Sequence, residues 1–253
     1  MKYNGMEYKR ILSLNITVKN YDNMLENIIY LSKHNISSYI CVANVHMCIE
    51  AYDNPEFRDI VNSADMVTPD GMPLAKGIKW LYGIEQDRVA GMDLLPDLLA
   101  ASEQQGLKVY FYGGSEATQR ATEAYVKKEY PQLDAVGFYS PPFRALTEEE
   151  ELQIISDIHR TGAQIVFVAL GCPKQEKWMS SMKGKINACM IGIGGALPVL
   201  IGEQKRAPKW MQELSLEWFY RFIQEPKRLF KRYAYTNSKF IYLLLKQKFG
   251  IKA

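Results

Sequence analysis

The sequence predicts an α/β protein: a mainly parallel, Rossmann-like sheet flanked by helices, followed by a basic, aromatic-rich helical appendage. Continuous apolar runs alternate with helical patterns over most of the chain, the signature of a sheet covered on both faces. Three of those runs end in glycine. Cations and aromatic residues concentrate beyond residue 205. These observations divide the chain into a body, residues 1–205, and an appendage, residues 206–253.

Taken in order, "SSYICVAN" (37–44) is a buried strand and "HMCIEAYDN" after it is helical. "ADMVTPDG" (64–71) supplies a short second strand, and "GLKVYFYGG" (106–114) a third. The helix "SEATQRATEAYVKKEY" opens on Ser115 as N-cap. In "LTEEEELQIISDIHRTG", Thr147 and Glu150 fit a capping box and Gly162 a C-terminal stop. "AQIVFVALG" (163–171) and "INACMIGIGG" (186–195) are further continuous apolar strands.

Composition narrows the class. Hydrophobic residues make up 47% of the 253 and charged residues 23%, as in a soluble globular protein. The first 18 residues hold no apolar stretch of signal-peptide length, and "FIYLLL" (240–245) is far short of the ~20 residues a membrane span needs. A cytoplasmic protein is expected. The four cysteines form no CxxC pair, and Cys41, Cys172 and Cys189 sit in or beside apolar runs, so free buried thiols are expected. The three histidines are scattered and suggest no metal cluster.

The net charge of +3 hides an asymmetry. Residues 206–253 hold eleven Lys and Arg against three Glu, a balance of +8, which leaves −5 for the body. Eleven aromatics share that segment. The combination suits an anionic membrane surface, a phosphate-bearing ligand or nucleic acid. An exposed aromatic surface also allows a homo-oligomer.

In open α/β sheets, ligands gather outside the carboxyl ends of the strands. Glycines end three strands there, at 112–114, 169–171 and 192–195, and Asp70 ends a fourth between Pro69 and Gly71. Proline and glycine together frame the carboxylate in a stiff-then-flexible turn. A nucleotide or nucleotide-sugar site follows. A dinucleotide oxidoreductase would carry G-x-G-x-x-G between its first strand and helix, and "GIGGAL" lies late and lacks the third glycine. No phosphate-loop motif and no Asp-x-Asp occur. A leaving diphosphate would then be neutralised by cations, and Arg221, Lys227, Arg228, Lys231 and Arg232 are the supply.

The stretches "PDGMP", "RVAGMDLLPDLL", "VYFYGG", "VALGCPKQEKWM", "GIGGALPVLIGEQKRAPKW" and "LEWFYRFIQEPKRLFKRY" together resemble the WecG/TagA/CpsF family, glycosyltransferase family 26, from about residue 10 to 245. The resemblance implies an inverting, metal-independent enzyme without a cofactor. Its donor would be a UDP-sugar (N-acetylmannosamine, its uronic acid or a glucose-type sugar). Its acceptor would be a polyprenyl-diphosphate-linked saccharide for cell-surface polysaccharide, met by an enzyme peripheral on the inner membrane face, with no nucleic acid as partner.

The resemblance gives Asp70 the role of general base. It gives Asn44 a hydrogen bond to sugar or nucleotide, and places Arg88, Gln175, Gly113, Gly114, Gly194 and Gly195 in the pocket. Arg221, Arg228 and Lys231 match cations that hold diphosphates. His46 fits a sub-branch and would touch substrate. Two departures bear on donor or acceptor choice: Val42, where many members have Thr, and Pro198, where many have an acidic residue. A nucleotide-binding oxidoreductase and a basic membrane-binding module are the rival readings.

Overall fold

In the computed structural model, which describes residues 6–213 and 216–251, the chain opens with the hairpin β1 (Glu7–Ile11) and β2 (Leu14–Val18), then α1 (Tyr21–Lys33). Next come β3 (Ser38–Ala43), α2 (Val45–Asp53), α3 (Pro55–Asn62), β4 (Met66–Pro69), α4 (Met72–Tyr82) and α5 (Gly91–Gln105). Then follow β5 (Val109–Gly113), α6 (Glu116–Glu129), β6 (Ala135–Tyr139), α7 (Glu148–Thr161), β7 (Ile165–Ala169), α8 (Lys174–Met182) and β8 (Cys189–Gly192). The C-terminal part is α9 (Ala196–Leu200), α10 (Lys209–Glu213), α11 (Glu217–Gln224) and α12 (Pro226–Lys248).

Strands β3 to β8 form one parallel sheet in the order β4-β3-β8-β7-β5-β6. The alternation of side chains explains its continuous apolar runs. Tyr39 and Cys41 of β3, Tyr110 and Tyr112 of β5, and Val166 and Val168 of β7 enter one core, under α2, α3, α7 and α8. Ile40 and Val42, Val109 and Phe111, and Ile165 and Phe167 enter the other, under α1 and α5. Both faces are dry, so neither needs a polar residue.

The caps follow the sequence. Ser115 Oγ accepts from the Thr118 N–H at 3.1 Å. Thr147 and Glu150 form the reciprocal box at 2.9 and 3.3 Å, and Gly162 closes α7 at φ 68°. Cys41, Cys48 and Cys189 are buried free thiols, and Cys172 is free and half-buried.

The hairpin, α1, α3, α4, α5, β6 and α9 have no counterpart in the element-by-element sequence reading. The hairpin turn places Leu12 at φ 54°, where Asn or Gly is the usual marker. Its backbone is held from outside: the Leu12 N–H donates to Gln247 Oε1 of α12 at 2.8 Å. Edge strand β6 is only half-buried along its length, which blurs its apolar signal.

Helix α12 seats itself by a stripe of buried residues at helical spacing, Leu229, Thr236, Phe240 and Leu243. Polar clasps add to it. Tyr235 Oη donates to Asp53 Oδ2 at 2.8 Å, Lys239 Nζ lies 2.5 Å from Asp53 Oδ1, and Lys248 Nζ donates to the Trp80 carbonyl at 2.6 Å. Away from this stripe Phe230, Ile241 and Tyr242 are exposed, as is Phe249 just past the helix. No described helix is long and apolar enough to cross a membrane.

Candidate active site

The site starts where β3 and β4 end side by side. The Asp70 N–H donates to the Ala43 carbonyl at 2.8 Å, extending the ladder one residue past Pro69. The Gly91 N–H, at the start of α5, then donates to Asp70 Oδ1 at 3.2 Å. Gly71 sits at φ −97°, an ordinary extended value, so the freedom of glycine is not what the turn uses. A Cβ there would come within 3.3 Å of the Pro73 ring, so it is the close approach that favours glycine.

Burial raises the Asp70 carboxyl above the usual carboxylate range. The Gly91 N–H, the charges of Arg221 and Arg88, and a hydrogen bond from Asn44 pull the other way. Asn44 is already committed locally: its Oδ1 caps α2 by accepting from the Met47 N–H at 3.2 Å. One side chain therefore fixes the start of α2 and steadies the carboxylate.

Asp70 opens into a cleft of ≈ 580 Å³ between the body and α11–α12. Asn44, His46, Asp70, Gly71, Arg88, Arg221 and Arg232 line one end. Burial, and then the Arg232 charge, lower His46 to about 4, so it is neutral at physiological pH. Its Nδ1 is buried without a hydrogen-bond partner, 3.8 Å from Glu50 Oε1. Arg232 Nε is likewise buried and unpartnered. Arg221 crosses closely over Gly195, where a Cβ would lie 2.6 Å from Nη2. The other end is a groove between α4 and α12, walled by Gly77, Trp80, Phe240, Ile241 and Leu244.

Arg88 differs from the other two arginines in being ion-paired. It reaches Glu217 Oε2 at 2.6 Å and Asp93 Oδ2 at 2.8 Å. Arg206 pairs with the same two carboxylates. Asp93, Arg206 and Glu217 were passed over in the sequence, although all three lie inside the motifs quoted above; as isolated charges they carry no spacing signal. Lys76, Trp80, Trp218 and Tyr233 also line the cleft unannounced.

The remaining sequence candidates lie outside this lining. Gly113, at φ 113°, packs against the Ala169 backbone, where a Cβ would come within 2.7 Å; Gly114 lies next to Thr118. Gln175 is buried: its Oε1 accepts from the Gly171 N–H at 3.1 Å and its Nε2 donates to Glu176 at 2.8 Å. Gly194, at φ 43°, leaves the room that Gln175 occupies. Lys231 points to solvent, and the side chain of Arg228 lies outside the described residues. Val42 is buried against Gly91, beneath the site rather than in it. Pro198 lies in α9, and its carbonyl accepts from the Gln204 N–H at 3.0 Å.

Comparison with known proteins converges on one family. The Glycosyl transferase WecG/TagA/CpsF family matches residues 9–253. The N-acetylglucosaminyldiphosphoundecaprenol N-acetyl-beta-D-mannosaminyltransferase of Bacillus subtilis (strain 168) is 31% identical over 227 residues, covering 86% of this chain and 87% of its own. The chain belongs to the WecG/TagA/CpsF family and is a glycosyltransferase.

Proposed function

We propose that this glycosyltransferase moves N-acetylmannosamine, or a close relative of it, from a UDP-sugar to a polyprenyl-diphosphate-linked saccharide, with inversion and without a metal ion. The observation that carries the reading is the two-ended cleft, with Asp70, Arg221 and Arg232 at one end and a mainly apolar groove at the other. A polyprenyl-diphosphate sugar has the same polarity: a sugar, then two phosphates, then hydrocarbon. The Bacillus subtilis relative is named for such an acceptor.

Asp70 would accept the proton of the acceptor hydroxyl as that oxygen attacks the anomeric carbon. The carbon's bond to the β-phosphate oxygen breaks, and UDP leaves with the electron pair. Attack opposite the leaving group inverts the anomeric centre. Arg221 and Arg232 would take up the diphosphate charge, as preorganised cations do for a developing anion. Arg228 and Lys231, also on α12, would add to the positive field of the segment. Asn44 would act mainly by holding Asp70, and neutral His46 can offer a ring nitrogen to a sugar.

In this reading residues 1–205 form the catalytic body and residues 206–253 the appendage that completes the site. The exposed Phe230 on α12 and Phe249 at its end, with the basic residues around them, would rest on an anionic membrane surface. Co-sedimentation with phosphatidylglycerol vesicles tests this: Phe230→Ser with Phe249→Ser weakens binding, and unchanged binding contradicts it.

The test of the reaction is UDP release from a donor panel with a prenyl-diphosphate-N-acetylglucosamine acceptor and EDTA present. Acceptor-dependent release that Asp70→Asn abolishes, with the opposite anomer in the product by NMR, supports the reading. Strict dependence on Mg²⁺ or retention of configuration overturns it.

A further inference from the structure

The two helices that close the cleft are held in different ways. Helix α12 buries an apolar stripe in the body, whereas α11 buries no residue at all. Yet α11 carries Arg221, which reaches across Gly195 and acts electrostatically on Asp70. Aromatic rings tie α11 to α12, Trp218 and Phe222 against Tyr233 and Phe222 against Phe230, whereas its tie to the body is polar. Glu217, at its first turn, is only 12% exposed at the side chain and is gripped by Arg88 from the body and by Arg206. Arg206 in turn pairs with Asp93 at the start of α5.

Helical geometry links this grip to the site. Glu217 and Arg221 are four residues apart, one turn of the same helix, and so share a face. Holding the Glu217 carboxylate sets the height and rotation of α11, and with them the place of the Arg221 guanidinium. The same contact joins Asp93 in neutralising Arg88 beside Asp70. Among the described residues, Arg221 and Arg232 have no carboxylate partner and are left for an anionic ligand.

We propose that Glu217 is a positioning residue: by bridging Arg88 and Arg206 it latches α11 onto the body and aims Arg221 at the reacting diphosphate. The catalytic half of this rests on the glycosyltransfer reading; the latch does not. Its effect on turnover passes through Arg221. A merely structural glutamate would weaken the fold without caring whether Arg221 is present.

Two measurements test it separately. Hydrogen–deuterium exchange on the intact chain reads the latch directly: Glu217→Gln speeds exchange across residues 217–224 by at least about tenfold and leaves the apolar-seated part of α12 unchanged. Equal exchange in α11 of wild type and variant overturns the latch whatever the activity. A double-mutant cycle on acceptor-dependent UDP release then reads the positioning. Glu217→Gln lowers kcat at least about tenfold in wild type, with little effect on donor KM, and has almost no further effect in an Arg221→Ala background. Equal losses in both backgrounds overturn the positioning role. Glu217→Asp, which keeps the charge on a shorter stem, restores part of kcat if the latch is ionic, and a loss as great as that of Gln argues against it.

Discussion

The two ends of the cleft are built by opposite means. At the Asp70 end the base and its neighbouring arginine are fixed by polar contacts: Gly91 and Asn44 on Asp70, Glu217 and Asp93 on Arg88. At the α4–α12 end the walls are mainly apolar side chains and a glycine, with Lys76 and Asn237 among them, placed by ordinary helix packing. The first end has the precision chemistry requires; the second has area without geometry, which suits a hydrocarbon chain of no fixed conformation. The difference teaches that the two ends should fail differently when altered. Changes at the polar end should reduce turnover with any acceptor, and changes at the apolar end should be felt only through acceptor binding.

The largest effect is expected at Asp70. Asp70→Asn lowers kcat by about 10²–10⁴, the usual worth of a positioned base, and leaves donor affinity near wild type in a binding titration. Its stability moves the other way. The native pKa is raised above the unfolded one, so the folded state holds its proton more tightly and the penalty for a buried charge is full above the native pKa. Asp70→Asn should therefore melt higher than wild type at pH 7–8, and the gain should shrink as pH falls through that native pKa toward the ordinary carboxylate range.

Next comes Arg221→Ala, expected to cost about 10²–10³ in kcat as a lost stabiliser of leaving-group charge. It should also move the acidic limb of the kcat/KM profile upward, because the Arg221 charge lowers Asp70. A limb that stays in place separates Arg221 from the base. At the apolar end, Ile241 is 59% exposed, so Ile241→Ser spares the fold. It should raise KM for a long prenyl acceptor about tenfold, from the lost contact area, with kcat intact.

Smaller effects sharpen the comparison. A Cβ on Gly77 would meet Ile11 at 3.4 Å and Leu244 at 3.7 Å, ordinary contacts. Gly77→Ala should gain about 0.5–1 kcal/mol in unfolding free energy from helix propensity while narrowing the groove by a methyl. His46 titrates near 4, so its ring NMR shifts should stay flat from pH 8 to 5.5. With the native pKa below the unfolded one, its contribution to stability is present above about 6.5 and is lost as pH falls toward 4.

Much of the frame was legible because it rests on local rules. The five apolar runs became β3, β4, β5, β7 and β8, and Ser115, Thr147 and Gly162 capped as their types require. The β1–β2 turn was not legible, because Leu12 takes its conformation from a contact with Gln247, 235 residues away. The site divides in the same way. Asp70 and the tail arginines stood out by motif and charge. The strand-end glycines looked equivalent in sequence, yet in the fold Gly113 lies against a strand backbone and Gly194 against Gln175, while Gly195 alone lies under Arg221. Glu217 was illegible because its meaning lies in partners from two separate segments, Arg88 and Arg206.

A cleft with a reacting end and a hydrocarbon end is best probed with a chain-length series. UDP release is measured in EDTA with acceptors carrying the same diphosphate sugar on progressively longer prenyl chains, for wild type, Ile241→Ser and Asp70→Asn. KM of the wild type should fall as the chain lengthens, Ile241→Ser should flatten this dependence at unchanged kcat, and Asp70→Asn should be inactive at every length. A wild-type KM indifferent to chain length, or a groove variant that loses kcat on the shortest acceptor, would contradict the two-ended cleft.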